Sequence, residues 1–194
     1  LGEVTLLAGK PGSGKSYVAL GLALAVATGK PFCGRQTTQL RVLILDKENP
    51  PRVMRQRVDH LGGRAIPSEG LRFWGGWCEF APEIGSPLVA EFAKAGGLII
   101  VDSAIRFFEG KSENDSAEIA RFFRPIIQLA RTGGTLLVIC HTGKGPTAQD
   151  YRGSSDYAAA ADASFKLDRD GPLGEPLTTF ALKTTKTRAG SARD

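Results

Sequence analysis

Residues Gly9-Lys10-Pro11-Gly12-Ser13-Gly14-Lys15-Ser16 match the pattern G-x-x-x-x-G-K-[ST] in full. The match sits between an apolar run of strand length, Glu3 to Ala8, and an Ala/Leu-rich stretch from Ser16 to Ala27 that predicts a buried helix. Strand, glycine-rich turn and helix in that order form a phosphate-binding loop. The glycines let the backbone close around phosphate oxygens, and the amides at the helix start point at them. Lys15 is then expected on the β- and γ-phosphates and the Ser16 hydroxyl on Mg²⁺. ATP is the expected ligand, touched by Gly9, Pro11, Gly12, Ser13, Gly14, Lys15, Ser16 and Tyr17.

The rest of the chain fits an α/β architecture around that loop. Apolar runs of strand length recur at Arg41–Asp46, Leu71–Trp74, Leu98–Asp102 and Thr135–Cys140. Shorter ones occur at Ala163–Leu167 and Leu177–Lys183, joined by a Gly/Pro turn. Helices are expected from Pro51 to about Leu61, from about Pro87 to Ala95, and from Ala117 to Arg131 with a kink at Pro125. Glu109 to Ser116 reads as a mobile loop. Strands that are apolar throughout and alternate with helices imply a mostly parallel central sheet with helices on both faces. The final two strands are expected as an antiparallel extension. Residues 1–194 contain no internal repeat or linker and read as a single domain.

Composition excludes several classes. The chain is 42% hydrophobic and 23% charged, close to globular averages, which argues against a disordered or coiled-coil chain. No apolar run approaches the length of a transmembrane helix, and the opening residues lack the basic segment of a signal peptide. No membrane partner is expected. Cys33, Cys78 and Cys140 are odd in number and widely spaced, which predicts free thiols and a reducing, cytoplasmic setting. A net charge of +5 permits a nucleic-acid partner without requiring one.

Carboxylates at strand ends supply the remaining chemistry. Asp102 closes Leu98-Ile-Ile-Val and is expected to hold Mg²⁺ with Ser16. Hydrolysis also needs a group that orients the attacking water. Asp46, Glu48 and Glu109 are candidates, and spacing does not choose among them. The residue after Asp102 is Ser103, so no second carboxylate follows it there.

Together these residues resemble the RecA-like ATPases, and within them the RepA-type and DnaB-type replicative helicases. The resemblance rests on the loop at 9–16, Asp46-Lys-Glu-Asn-Pro-Pro51, Ile99 to Phe108, Cys140-His-Thr-Gly-Lys144, Arg152-Gly-Ser-Ser155, Ala161-Asp162 and Lys186-Thr-Arg188. It implies a core strand order of 5-1-4-3-2 and a catalytic Glu just after the second strand, which is Glu48. It implies that His141 is a polar sensor of the γ-phosphate. It also implies that Lys144 and Arg152 lie on a loop facing single-stranded DNA in a central channel. Lys186 and Arg188 match a pair that completes the neighbouring subunit's site in a homo-oligomer, a hexameric ring in relatives.

Two other functions use the same phosphate site. One is a nucleotide-switched regulatory or recombinase-like ATPase that binds DNA without unwinding it. The other is a small-molecule P-loop kinase, with Arg106, Lys111, Arg121, Arg124 and Arg131 as a basic lid. The kinase leaves Lys186, Arg188 and Glu48 without a role.

Overall fold

The computed structural model describes residues 2–63, 69–142, 156–171 and 179–188. Seven strands form one sheet: β1 (Val4–Gly9), β2 (Val42–Asp46), β3 (Leu71–Gly75), β4 (Leu98–Asp102), β5 (Thr135–His141), β6 (Ala163–Asp170) and β7 (Thr179–Thr187). Their spatial order is β3-β2-β4-β5-β1-β6-β7. All neighbours are parallel except β6 and β7, which are antiparallel. The observed order differs in detail from the expected 5-1-4-3-2: that order is met only by the subset β6-β1-β5-β4-β2, with β3 left out of the count. In detail the sheet is larger, because β3 adds an edge strand beyond β2 and β7 adds one beyond β6.

The helices are α1 (Lys15–Thr28), α2 (Pro51–His60), α3 (Pro87–Lys94), α4 (Ala104–Phe107), α5 (Ser116–Arg131) and α6 (Asp156–Ala160). Period-two alternation along the strands divides the core between two faces. Leu7, Val42, Ile44, Leu98, Ile100, Leu137 and Ile139 point to the α1/α2 face and pack with Leu20, Ala23 and Met54. Val4, Leu6, Leu43, Leu45, Ile99, Val101, Leu136 and Val138 point the other way, onto Val89, Ile119, Phe123 and Ile126 of α3 and α5. Each such side chain, fully buried, contributes roughly 1.5–3 kcal/mol relative to exposure. This two-sided burial explains why the strands read as continuous apolar runs.

Local signals set the element ends. Ser86 caps α3 by accepting from the Val89 amide, and Pro87 takes the first helical position, where no amide is needed. Asp115 caps α5 by accepting from the Ala117 and Glu118 amides, so that helix starts one residue earlier than its apolar pattern indicates. Pro125 lies inside α5. The Glu109–Ser116 loop is tied at several points: Glu118 accepts from the Ser112 amide at 2.7 Å, and Tyr157 donates to Glu113 at 3.1 Å. The last strand runs on to Thr187 rather than ending at Lys183, because it pairs with β6 back to Ala163. Two short helices, α4 and α6, were not expected. Among the described residues, no helix is long and apolar enough to cross a membrane.

Candidate nucleotide site

The carboxyl ends of β1, β2, β4 and β5 converge, and the sequence-predicted residues sit on them. Gly9 ends β1 and is in register with His141 at the end of β5. Asp46 ends β2 and is in register with Asp102 at the end of β4. β5 lies between the phosphate-loop strand and the Asp102 strand. Crevices at such strand ends are where open α/β sheets bind ligands.

The loop from Gly9 to Ser16 wraps the start of α1. A Cβ at Gly9 would stand 2.8 Å from the Leu167 carbonyl and 2.9 Å from Ser13 Oγ, so only glycine fits there. Gly14 precedes the helix in a left-handed conformation, φ 91°. Lys15 is buried, and its ammonium donates to the carbonyls of Gly9 and Lys10, both at 2.9 Å. It also lies 3.3 Å from His141 Nδ1. Burial lowers the Lys15 pKa, opposed by the charges of Asp102 and Glu48. Ser13 is buried as well, and its hydroxyl has no partner among the described residues. An ammonium resting on loop carbonyls and an unpaired buried hydroxyl suit an incoming polyanion. Pro11 and Gly12 are exposed at the loop tip, and Tyr17 is half-buried on α1.

The carboxylates separate by geometry. Asp46 is fully buried, and both its oxygens are engaged. Oδ1 accepts from the Glu48 and Asn49 amides at 2.8 Å, and Oδ2 from the Asn49 side chain at 3.0 Å. Asp46 is thus a bracket that shapes the turn after β2. Glu48 emerges from that turn exposed, and its Oε2 accepts from the Ser103 hydroxyl at 2.7 Å. Glu109 lines a groove of about 620 Å³ with Lys47, Lys111 and Arg121.

Asp102 is buried, and the nearby Ser16 side chain acts to lower its pKa. Burial pushes its carboxyl up to about 7, and the charges of Asp46 and Glu48 push the same way. A buried carboxylate this costly to ionise, next to a serine hydroxyl, suits a hard cation. Among the described residues no cluster of three or more His, Cys, Asp or Glu side chains is arranged for a metal. One carboxylate and one hydroxyl match Mg²⁺, which keeps several waters and shares its shell with phosphates.

A family of AAA domains, designated AAA_25, matches residues 1–147. The chain belongs to this family. It is a P-loop ATPase domain of the AAA/RecA-like kind, a family that implies nucleotide binding. The matched segment contains the phosphate loop, Glu48, Asp102 and His141, and it ends before α6, β6 and β7. No curated protein matches the chain.

Outside the matched part of the AAA domain, two residues approach the phosphate loop that sequence reading missed. Arg169 on β6 donates to the Gly12 carbonyl at 2.7 Å, while its Nε is buried without a partner among the described residues. Phe180 on β7 is directly opposite Arg169 across the strand pair and covers Gly14. A cross-strand pairing of this kind has no sequence motif, so only the register reveals it.

Lys186 and Arg188 lie away from this chain's phosphate loop. Lys186 donates to the carbonyls of Ala158 and Ala161, the latter at 2.7 Å. Arg188 donates to the Ala159 carbonyl at 2.6 Å and pairs with Asp162 at 3.2 Å. Both therefore cap the carboxyl end of α6, where cations match the helix dipole. Lys144 and Arg152 lie outside the described residues.

Proposed function

We propose that this ATPase domain is the motor of a RepA/DnaB-type hexameric DNA helicase, coupling ATP hydrolysis to translocation on single-stranded DNA. The observation that carries the reading is the connectivity around residues 143–155. His141, 3.3 Å from Lys15, immediately precedes the Thr142–Arg152 segment that carries Lys144 and Arg152. At its other end stands α6, held by Lys186 and Arg188. In this reading a change at either flank, His141 in this chain's own site or α6 through Lys186 and Arg188, is passed to the segment that carries Lys144 and Arg152.

In this reading Lys15 leaves the Gly9 and Lys10 carbonyls for the β- and γ-phosphates, and Ser13 Oγ gains a phosphate oxygen. Ser16 and Asp102 would hold Mg²⁺, which when bound would supply positive charge that neutralises the phosphates. Glu48 accepts a proton from water as the water oxygen bonds the γ-phosphorus. The bond to the bridging oxygen breaks, and its electron pair leaves with ADP. Lys186 and Arg188 serve the site of the adjacent copy, an arrangement in which each site is incomplete without its neighbour.

Steady-state ATPase rates with and without single-stranded DNA, over a range of protein concentrations, test this. The proposal expects stimulation by DNA and a specific activity that rises with concentration. DNA stimulation without strand displacement would favour the regulatory or recombinase-like alternative. Rates flat in both respects would reject the motor and favour a self-contained kinase or switch.

A further inference from the structure

The turn after β2 is fixed at two points, and the second comes from another strand. Asp46 accepts from the Glu48 amide at 2.8 Å and so fixes its main chain. Ser103, immediately after β4, donates its hydroxyl to Glu48 Oε2 at 2.7 Å and so fixes its side chain. Ser103 is 1% exposed, so its single O–H proton has no competing water, whereas the Glu48 side chain otherwise extends into solvent. Asn49 joins the two strands further, donating to Asp46 Oδ2 at 3.0 Å and Asp102 Oδ2 at 3.4 Å.

We propose that Ser103 is a positioning residue for Glu48, holding one carboxylate oxygen so that the other is presented to the attacking water. This rests on the reading of Glu48 as the base. A glutamate has three rotatable side-chain bonds, and an exposed one samples many rotamers. One short charge-assisted hydrogen bond from a buried donor selects among them. Because Ser103 follows Asp102 directly, one dipeptide places both the base and the expected metal carboxylate. The position where a second carboxylate could have stood instead holds the base supplied by β2.

The test compares Ser103→Ala, Ser103→Cys, Ser103→Thr and Glu48→Gln in full-length chain, measuring kcat and KM for ATP and the affinity for a fluorescent ADP analogue. A mispositioned base typically costs on the order of 10- to 100-fold in rate. Ser103→Ala is therefore expected to lower kcat by that order while KM and ADP affinity stay within about threefold. Ser103→Cys conserves volume but donates weakly, and should behave like the alanine variant. Ser103→Thr keeps the hydroxyl and should recover most of the rate. If Glu48→Gln is inactive while Ser103→Ala and Ser103→Cys turn over like wild type, the positioning role is overturned and the base assignment stands. Retained turnover in Glu48→Gln would reject the base itself. Parallel loss of ADP affinity and kcat in the serine variants would make Ser103 merely structural and also overturn the proposal.

Discussion

Strands β1, β2 and β4 end in buried residues and β5 is buried up to Cys140, whereas β7 is exposed along nearly its whole length. At these ends the polar groups hold one another: Lys15 on carbonyls, Asp46 on two amides, Ser103 on Glu48. The β6–β7 pair places Arg169 near the phosphate loop at one end and Lys186 and Arg188 at α6 at the other. The difference separates what this chain prearranges from what the proposed function assigns to a second copy. A site built on strand ends is rigid and self-contained. Under the proposed function, Lys186 and Arg188 would exchange their partners on α6 for the neighbouring copy's nucleotide.

The comparison can be broken first at the buried end. Lys15→Ala removes the cation of the phosphate loop, and ATP hydrolysis should vanish in a phosphate-release assay. Wild-type turnover in that variant would refute the phosphate-loop assignment.

Asp102→Asn should divide function from stability. Turnover should fall by at least about 100-fold if the carboxylate helps place a metal that stabilises transition-state charge. The fold itself should gain. Asp102 is raised from 3.8 to about 7, so the folded state holds its proton more tightly than the unfolded state. That contribution is fully present below about pH 4 and is lost as pH rises to about 7. Without metal or nucleotide, thermal unfolding at pH 7.5 should show the asparagine variant melting higher by roughly 4 °C or more. The variant should also lose part of the wild-type decline in Tm between pH 5 and 7.5. Adding Mg²⁺ with ADP should narrow the gap by stabilising wild type selectively.

The smallest effect lies on the hairpin. Phe180 is 37% exposed yet covers Gly14, so Phe180→Ala removes a partial contact. Nucleotide affinity should weaken about two- to fivefold, equivalent to roughly 0.5–1 kcal/mol, measured by titration of a fluorescent nucleotide. A loss as large as that of Lys15→Ala would mean the hairpin is part of the self-contained site.

The buried half was largely legible from sequence. Four fully apolar runs, a complete phosphate-loop motif and a terminal Asp102 are local patterns, and local patterns survive folding. The choice among Asp46, Glu48 and Glu109 was not legible from spacing, because it depends on which side chain turns inward; here Asp46 does, and Glu48 meets Ser103. The hairpin half was poorly legible. Arg169 and Phe180 meet the loop through antiparallel register and tertiary approach, neither of which a single strand's pattern contains. Lys186 and Arg188 were found by resemblance, but their seat on α6 follows from a short helix whose five residues carry too little periodicity to announce it.

The most direct test of a site completed by two copies is subunit mixing. Arg188→Ala and Glu48→Gln chains are each assayed alone for ATP hydrolysis and then mixed in equal amounts. Each alone should be nearly inactive while still binding nucleotide. In the mixture, some interfaces pair an intact Glu48 from one copy with an intact Arg188 from the next, and activity should reappear well above the sum of the two. A mixture no more active than that sum, under conditions where the chains co-assemble, would contradict the shared site.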